Sequence, residues 1–126
     1  MTEYRVLLDS AAWLAYFFTG KPEIKEIIES GRHEIISSAI SILEIRRKLL
    51  QEKYSGNEIE KALEFVKSRS AIKDVTEQIC EKAAEDCMKE KFHTADAIIY
   101  RTAADNSATI VTLDAHFKGK PNATVL

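Results

Sequence analysis

The sequence predicts an α/β fold, in which helices pack on a largely parallel central sheet of four to five strands. Two observations support this fold class. Short β-prone runs alternate with helical segments of about ten residues or more. Gly and Pro occur where turns are needed, as at Gly20 and Pro22. Such alternation is typical of a sheet covered by helices, here a three-layer α/β/α arrangement.

The predicted strands are short and mostly apolar. "YRVLLD" is the first of them, and "SATIVTLD" is the clearest of the others. The predicted strands cover residues 4–9, 33–38, 71–75, 107–114 and 123–126.

The predicted helices follow apolar periodicity and end at recognisable signals. Gly20 is expected to end the first helix, and Pro22 is expected to begin the second, which closes on Gly31. The predicted helices cover residues 10–20, 22–31, 39–54, 55–70, 76–92 and 93–104.

Length and composition indicate one globular domain. The chain has 126 residues, of which 45% are hydrophobic and 30% charged, and residues 1–126 are expected to form a single domain with a sizeable core. The longest apolar run, "AAWLAYFF" (residues 11–18), is too short to span a membrane, and no basic region or cleavage site precedes it. We therefore expect a cytoplasmic protein with no membrane partner.

Charge and cysteine content argue against a protein that coats nucleic acid and against one stabilised by disulfides or zinc. A net charge of -2 argues against a protein that coats nucleic acid indiscriminately, but it is compatible with a nuclease that has a local basic patch. Cys80 and Cys87 lie in one predicted helix, about 10 Å apart along its axis, which is too far for a disulfide. Neither has partners at zinc-ligand spacing. Both are expected to be small core residues.

Two acids follow predicted strands. Asp9 comes directly after the run 6–8, and Asp114 follows the run 111–113. Ligand sites in open α/β sheets collect beyond the carboxyl ends of the strands. We therefore expect Asp9 and Asp114 at the same edge of the sheet.

Two more acids lie in predicted helices. Asp96 opens the apolar helix "HTADAIIYRTAA", where a cap at Thr94 and a favourable helix dipole offer a structural explanation for it. Glu44 lies beside, and not on, the broad apolar face of its helix. A solvated boundary residue is an equal alternative for Glu44.

These acids carry a resemblance to a known family. The segments "LLDSAAW", "ISILEIRRKL", "TADAIIYRTA" and "IVTLDAHF" resemble, in order and spacing, the acidic motifs of PIN-domain ribonucleases, and most of all those of VapC-type toxins of toxin–antitoxin modules. The likeness extends from the first strand to the C-terminus. It implies a three-layer PIN-like fold, with Asp9, Glu44, Asp96 and Asp114 as catalytic and metal-binding acids.

The resemblance also implies a reaction. It predicts a Mg²⁺- or Mn²⁺-dependent endoribonuclease that leaves a 3′-hydroxyl and a 5′-phosphate without a covalent intermediate. Carboxylate oxygens suit both ions. His33, His93 and His116 lie in three different contexts and are expected to be surface or hydrogen-bonding residues, with a minor substrate contact open for His93 and His116.

Two hydroxyls accompany the acids. Ser10 adjoins Asp9, and Thr112 lies two residues before Asp114. Ser10 as a helix cap and Thr112 as an ordinary strand residue are the structural alternatives. The segment "TLD" resembles a motif of the family, in which the Thr hydroxyl supports the acidic cluster. We therefore expect Ser10 and Thr112 to support the acids.

A basic run, Arg46-Arg47-Lys48, follows Glu44. Successive helical residues point about 100° apart, so only one or two of these side chains can contact an RNA phosphate together. The others are expected to be solvated.

The resemblance finally implies partners. A VapC-type toxin is expected to form a homodimer and to bind a small VapB-like antitoxin, whose C-terminal segment covers the acidic groove. Trp13, Phe17 and Phe18 are candidates for that contact, and core packing is at least as good an explanation for each.

Two other functions compete with this hypothesis. A receiver-like phosphoacceptor domain would also be α/β and bind Mg²⁺, and "KP" at Lys120-Pro121 is compatible with one. However, only five residues follow Pro121, and the paired acids of a receiver are missing after the first strand. A non-catalytic PIN-fold module would be expected to lose one or more acids, whereas this sequence has all four.

Overall fold

The computed structural model describes residues 4–126. Their strands form a single five-stranded sheet. Every neighbouring pair of strands is parallel, and the spatial order β3-β2-β1-β4-β5 places β1 at the centre. This confirms the predicted sheet. The strands are β1 (Tyr4–Leu8), β2 (His33–Ser38), β3 (Ala71–Lys73), β4 (Thr109–Thr112) and β5 (Ala123–Val125).

Every predicted helix is present, although several ends are shifted. Gly20 ends the first helix in the left-handed conformation, with φ of 62°, and Pro22 begins the second. A short 3₁₀ turn at Ala115–Phe117 was not predicted. The helices are α1 (Ser10–Thr19), α2 (Pro22–Ser30), α3 (Ala39–Gln51), α4 (Gly56–Arg69), α5 (Glu77–Glu90) and α6 (Thr94–Asp105).

The central strand is buried on both faces. Val6 and Leu8 pack with residues of α1, α2, α3 and α4, whereas Leu7 packs with residues of α5, α6 and the 3₁₀ turn. Alternate side chains of a strand point to opposite faces, so each face of the sheet has its own helical layer. The fold therefore has the three predicted α/β/α layers.

The strand order decides which ends meet. Leu8 pairs with Val111 in parallel register, so Asp9 and Asp114 emerge at the same edge of the sheet. A receiver domain has the order 2-1-3-4-5, whereas here β1 lies between β2 and β4. In addition, Lys120 of the "KP" pair donates a hydrogen bond to the carbonyl oxygen of Glu90. The receiver alternative is therefore excluded by topology.

The core differs from the sequence prediction at the cysteines. Cys80 is exposed, and only Cys87 packs, half-buried, against the core. The prediction that both are core residues is wrong for Cys80, because helical periodicity turns it away from the sheet while Ala83 faces inward.

Trp13 is a core residue. Its side chain is fully buried, and its indole N–H donates to the Ser37 hydroxyl at 3.0 Å. Trp13 therefore does not form the partner surface for which it was one candidate. Phe17 is half-buried against the same core, whereas Phe18 is 41% exposed. In residues 4–126, no helix combines the length and apolar character needed to cross a membrane.

Candidate active site

Asp9 lies at the base of the site, directly after β1. Its Oδ1 accepts a hydrogen bond from the Ala12 amide at 3.0 Å, which caps α1. Its Oδ2 accepts from the Thr112 hydroxyl at 2.5 Å. The residue is only 4% exposed. Asp9 therefore forms the helix cap that the sequence offered as an alternative role for Ser10.

Burial makes the charge of Asp9 unfavourable. Loss of hydration, with smaller contributions from the negative charges of Asp114 and Glu44, raises the pKa of this carboxyl from 3.8 to about 6. The hydrogen bonds from Thr112 and Ala12 oppose this rise. A cation placed beside Asp9 would relieve the same penalty.

Thr112, the last residue of β4, connects two acids. Its hydroxyl donates to Asp9 and accepts a hydrogen bond from the Asp114 amide at 2.9 Å. The side chain is fully buried, so these two bonds use the hydroxyl as both donor and acceptor. Thr112 therefore holds the end of β1 and the segment after β4 in a fixed relation.

Glu44 reaches the site from α3. The Ser10 hydroxyl, in the first turn of α1, donates to Glu44 Oε1 at 3.1 Å. The carboxylate is close enough to Asp9 to raise its pKa. Glu44 is half-buried and is not a freely solvated boundary residue.

Asp96 and Asp114 form the exposed side of the site, together with His116. The His116 Nδ1 lies 3.2 Å from Asp96 Oδ2 and 3.3 Å from Asp114 Oδ1. Asp96 lies in the first turn of α6, where His93 occupies the cap position without a side-chain cap bond. The suggested cap at Thr94 is therefore wrong, because the helix begins at Thr94 itself.

The pKa of Asp96 is also raised. Burial and the nearby Asp114 raise its pKa, while His116 and His93 lower it. Asp96, Asp114 and His116 each offer one ligand atom, and these atoms lie within 4.8 Å of one another. This set of two carboxylates and an imidazole could hold a divalent cation.

His116 was the residue that sequence analysis undervalued. It lies two residues after Asp114, and its amide donates to Asp114 Oδ1 at 2.9 Å. The signal that could have found it is Phe117, whose apolar side chain must be buried and so pulls the turn onto the core.

Hydrogen bonds, close nitrogen–oxygen approaches and chain neighbours thus connect the candidate residues across the edge of the sheet. The series runs through Glu44, Ser10, Asp9, Thr112, Asp114, His116 and Asp96.

The basic run behaves differently from the acids. Arg46 and Arg47 are exposed on α3, next to Glu44 in sequence. Lys48 pairs with Glu52 one turn later, at 3.3 Å. Their contact with RNA phosphates stays a prediction. Arg47 and Lys48, three and four residues after Glu44, lie on the same side of α3 as Glu44, whereas Arg46 points away from it.

The sequence matches one family profile, that of the PIN domain, over residues 6–122. The chain belongs to the PIN domain family. The resemblance predicted from the four acidic segments is therefore confirmed at the level of the family. No curated protein gives a significant sequence match to this PIN domain.

Several solved structures share the fold over nearly their whole length. A toxin–antitoxin complex from Klebsiella pneumoniae is 22% identical, with 95% of this chain and 96% of that chain covered and a TM-score of 0.76. VapBC2 from Rickettsia felis, bound to a promoter DNA fragment, is 18% identical, with 97% of both chains covered and a TM-score of 0.74. The sarcin-ricin loop cleaving toxin VapC20 from Mycobacterium tuberculosis is 16% identical, with 91% of both chains covered and a TM-score of 0.70.

Proposed function

We propose that this PIN domain is a metal-dependent endoribonuclease that acts as the toxin of a toxin–antitoxin pair. The observation that carries the nuclease hypothesis is the convergence of Asp9, Glu44, Asp96 and Asp114 at one edge of the sheet. The toxin hypothesis is supported by the solved structures of similar fold, which include toxin–antitoxin complexes and an RNA-cleaving toxin.

The four acids would hold Mg²⁺ or Mn²⁺. When bound, such an ion activates water, orients a phosphodiester and neutralises charge on the leaving oxygen. Asp96 and Asp114 are partly exposed and would meet the substrate. Asp9 is buried below them, and Thr112 and Ala12 keep its carboxylate in one orientation.

Some side chains would orient the acids, and another would contact the substrate. Ser10 orients Glu44, and Thr112 orients Asp9 and the Asp114 segment. Arg47, on the same side of α3 as Glu44, would contact an RNA phosphate. A non-catalytic PIN-fold module has no need of an acidic cluster in which neighbouring carboxylates raise the pKa values of Asp9 and Asp96, so the structure favours the enzyme.

The test is cleavage of a structured RNA pool with Mg²⁺ or Mn²⁺, beside an EDTA control. Asp96→Asn should lower the rate more than about 100-fold, because loss of groups that merely support metal ligands typically costs 10–100-fold. Asp105→Asn is the matched control, since Asp105 lies at the far end of α6 and pairs with Arg101. Cleavage that persists in EDTA, or in the Asp96→Asn protein, excludes the metal-dependent mechanism.

The toxin hypothesis needs a separate test. Expression of this chain alone should arrest growth of its native host, and co-expression with an antitoxin encoded beside it should relieve the arrest. Phe18, which stacks on Tyr54 with 6.0 Å between ring centroids, is a candidate contact for that partner. If expression is harmless, the toxin hypothesis is contradicted and the nuclease hypothesis still stands. Sedimentation of the purified chain tests the expected homodimer.

A further inference from the structure

We propose that His116 is a nitrogen ligand of the metal site and that it shifts the preference of the site from Mg²⁺ toward first-row transition ions such as Mn²⁺. This inference rests on the proposed function, since it concerns the same metal. It differs from that proposal because the four acids alone would make an all-oxygen site.

The distances suit shared coordination. Ligands at right angles around an ion, with bonds of about 2.1 Å, lie about 3.0 Å from each other. The His116 Nδ1 lies 3.2 Å from Asp96 Oδ2 and 3.3 Å from Asp114 Oδ1. The nitrogen and both oxygens all lie within 4.8 Å of one another, so one ion could contact all three after small side-chain movements.

The turn that carries His116 is anchored. Phe117 is fully buried, and its ring lies 5.3 Å from that of Phe92. The Phe117 amide donates to the Asp114 carbonyl at 3.1 Å, and the His116 amide donates to the Asp114 carboxylate. These bonds hold the His116 backbone beside the acids, so little backbone conformational entropy is lost when the imidazole binds an ion.

The imidazole changes what the site prefers. Mg²⁺ is a hard ion that favours oxygen ligands and retained waters, whereas imidazole nitrogen suits transition ions. The His116 side chain is 60% exposed, so an ion can reach it from solvent. Replacing one oxygen position by nitrogen should therefore strengthen Mn²⁺ or Co²⁺ binding more than Mg²⁺ binding.

Metal binding without RNA separates this inference from the nuclease hypothesis. Chelator-treated protein is titrated with Mg²⁺, Mn²⁺ and Co²⁺ by calorimetry. His116→Ala should weaken Mn²⁺ and Co²⁺ binding by roughly tenfold or more and change Mg²⁺ binding less than about threefold. Electron-spin-echo modulation from a directly bound nitrogen should be present with Mn²⁺ in the wild type and absent in His116→Ala.

His93 provides the matched control. It is exposed, and its ring centroid lies 5.2 Å from that of His116, but it is not part of the ligand group. His93→Ala should leave the ratio of Mn²⁺ to Mg²⁺ affinity and the nitrogen signal unchanged.

Three results would overturn the inference. These are unchanged affinities for both ions in His116→Ala, an equal loss for both ions, which would make His116 only a support for Asp114, and a nitrogen signal that survives the substitution. In each case wild-type protein that binds metal and cleaves RNA leaves the proposed function standing. Wild-type protein that binds neither ion would contradict both proposals.

Discussion

The two sides of the acidic site place the same residue type in opposite environments. Asp9 is 4% exposed, and both its oxygens accept hydrogen bonds from neutral groups, the Thr112 hydroxyl and the Ala12 amide. The side chains of Asp96 and Asp114 are 16% and 30% exposed, and they face the imidazole of His116. One side is therefore held in place and poorly hydrated, while the other is more open to solvent.

This difference separates two tasks. The buried Asp9 places a costly negative charge at a fixed point, where a cation gains most from meeting it. In the proposed function, the exposed pair would supply oxygens that adjust to an ion and a phosphate. A site with four equally buried acids would exclude substrate, and one with four equally exposed acids would lose the fixed geometry.

The largest expected effect comes from removing the charge on the buried side. Asp9→Asn should lower RNA cleavage by more than about 100-fold, because it removes an anionic metal ligand. The metal-free protein should become more stable by roughly 1–2 kcal/mol near neutral pH, since a buried charge is lost while Asn remains a good helix cap.

Cleavage assays and denaturant unfolding in EDTA measure the two effects on Asp9→Asn. Asp105→Asn again serves as the control, and it should show no gain in stability because Asp105 is exposed and paired with Arg101. A variant of Asp9 with full activity, or one that is less stable than the wild type without metal, would contradict the contrast between the two sides.

The pH dependence of stability isolates the same charge. Because folding raises the pKa of Asp9 from 3.8 to about 6, its contribution to stability is fully present below about pH 3.8 and is lost as pH rises through 6. The full change corresponds to roughly 3 kcal/mol.

Unfolding in EDTA between pH 4 and 8 tests this, as the difference between wild type and Asp9→Asn. The pKa values of Glu29 and Glu58 are lowered, which gives the opposite slope, but both proteins contain these residues and the difference removes them. A difference that is flat with pH would show that Asp9 is not destabilised by burial.

Thr112→Val tests the connection between the two sides at nearly constant shape. The substitution removes the donor to Asp9 and the acceptor for the Asp114 amide. Activity should fall about tenfold, and stability should fall by about 1–3 kcal/mol because a buried amide loses its partner. Thr112→Ser keeps the hydroxyl and should retain most of the activity. Equal losses in the two variants would assign the effect to packing.

The smallest effect is expected at Ser10. Ser10→Ala removes one hydrogen bond from a neutral hydroxyl to the half-buried Glu44 carboxylate, which water can replace, so activity should fall by no more than about fivefold. Ser68→Ala, at a serine that bonds the Phe65 carbonyl, should have no effect on cleavage. A loss at Ser10 as large as that at Asp9 would mean that Glu44 depends wholly on this bond.

Much of the fold followed from local pattern. The strand and helix periodicities of residues 4–126 predicted the elements, and the position of Asp9 and Asp114 after parallel strands predicted that they share an edge. Apart from the burial of Cys80, errors arose at element ends. A shift of one residue decides whether Asp9 or Ser10 caps α1, and local propensity favours both.

The sequence by itself determined the alternation of strands and helices, the acids at their ends and the likeness to the PIN family, because all of these depend on residue order and short-range periodicity. Only the tertiary structure decided that Thr112 bonds Asp9, that Ser10 bonds Glu44 and that His116 lies between Asp96 and Asp114. These contacts join side chains from different elements. They depend on β1 lying beside β4 and on the burial of Phe117, which are properties of the packed core as a whole.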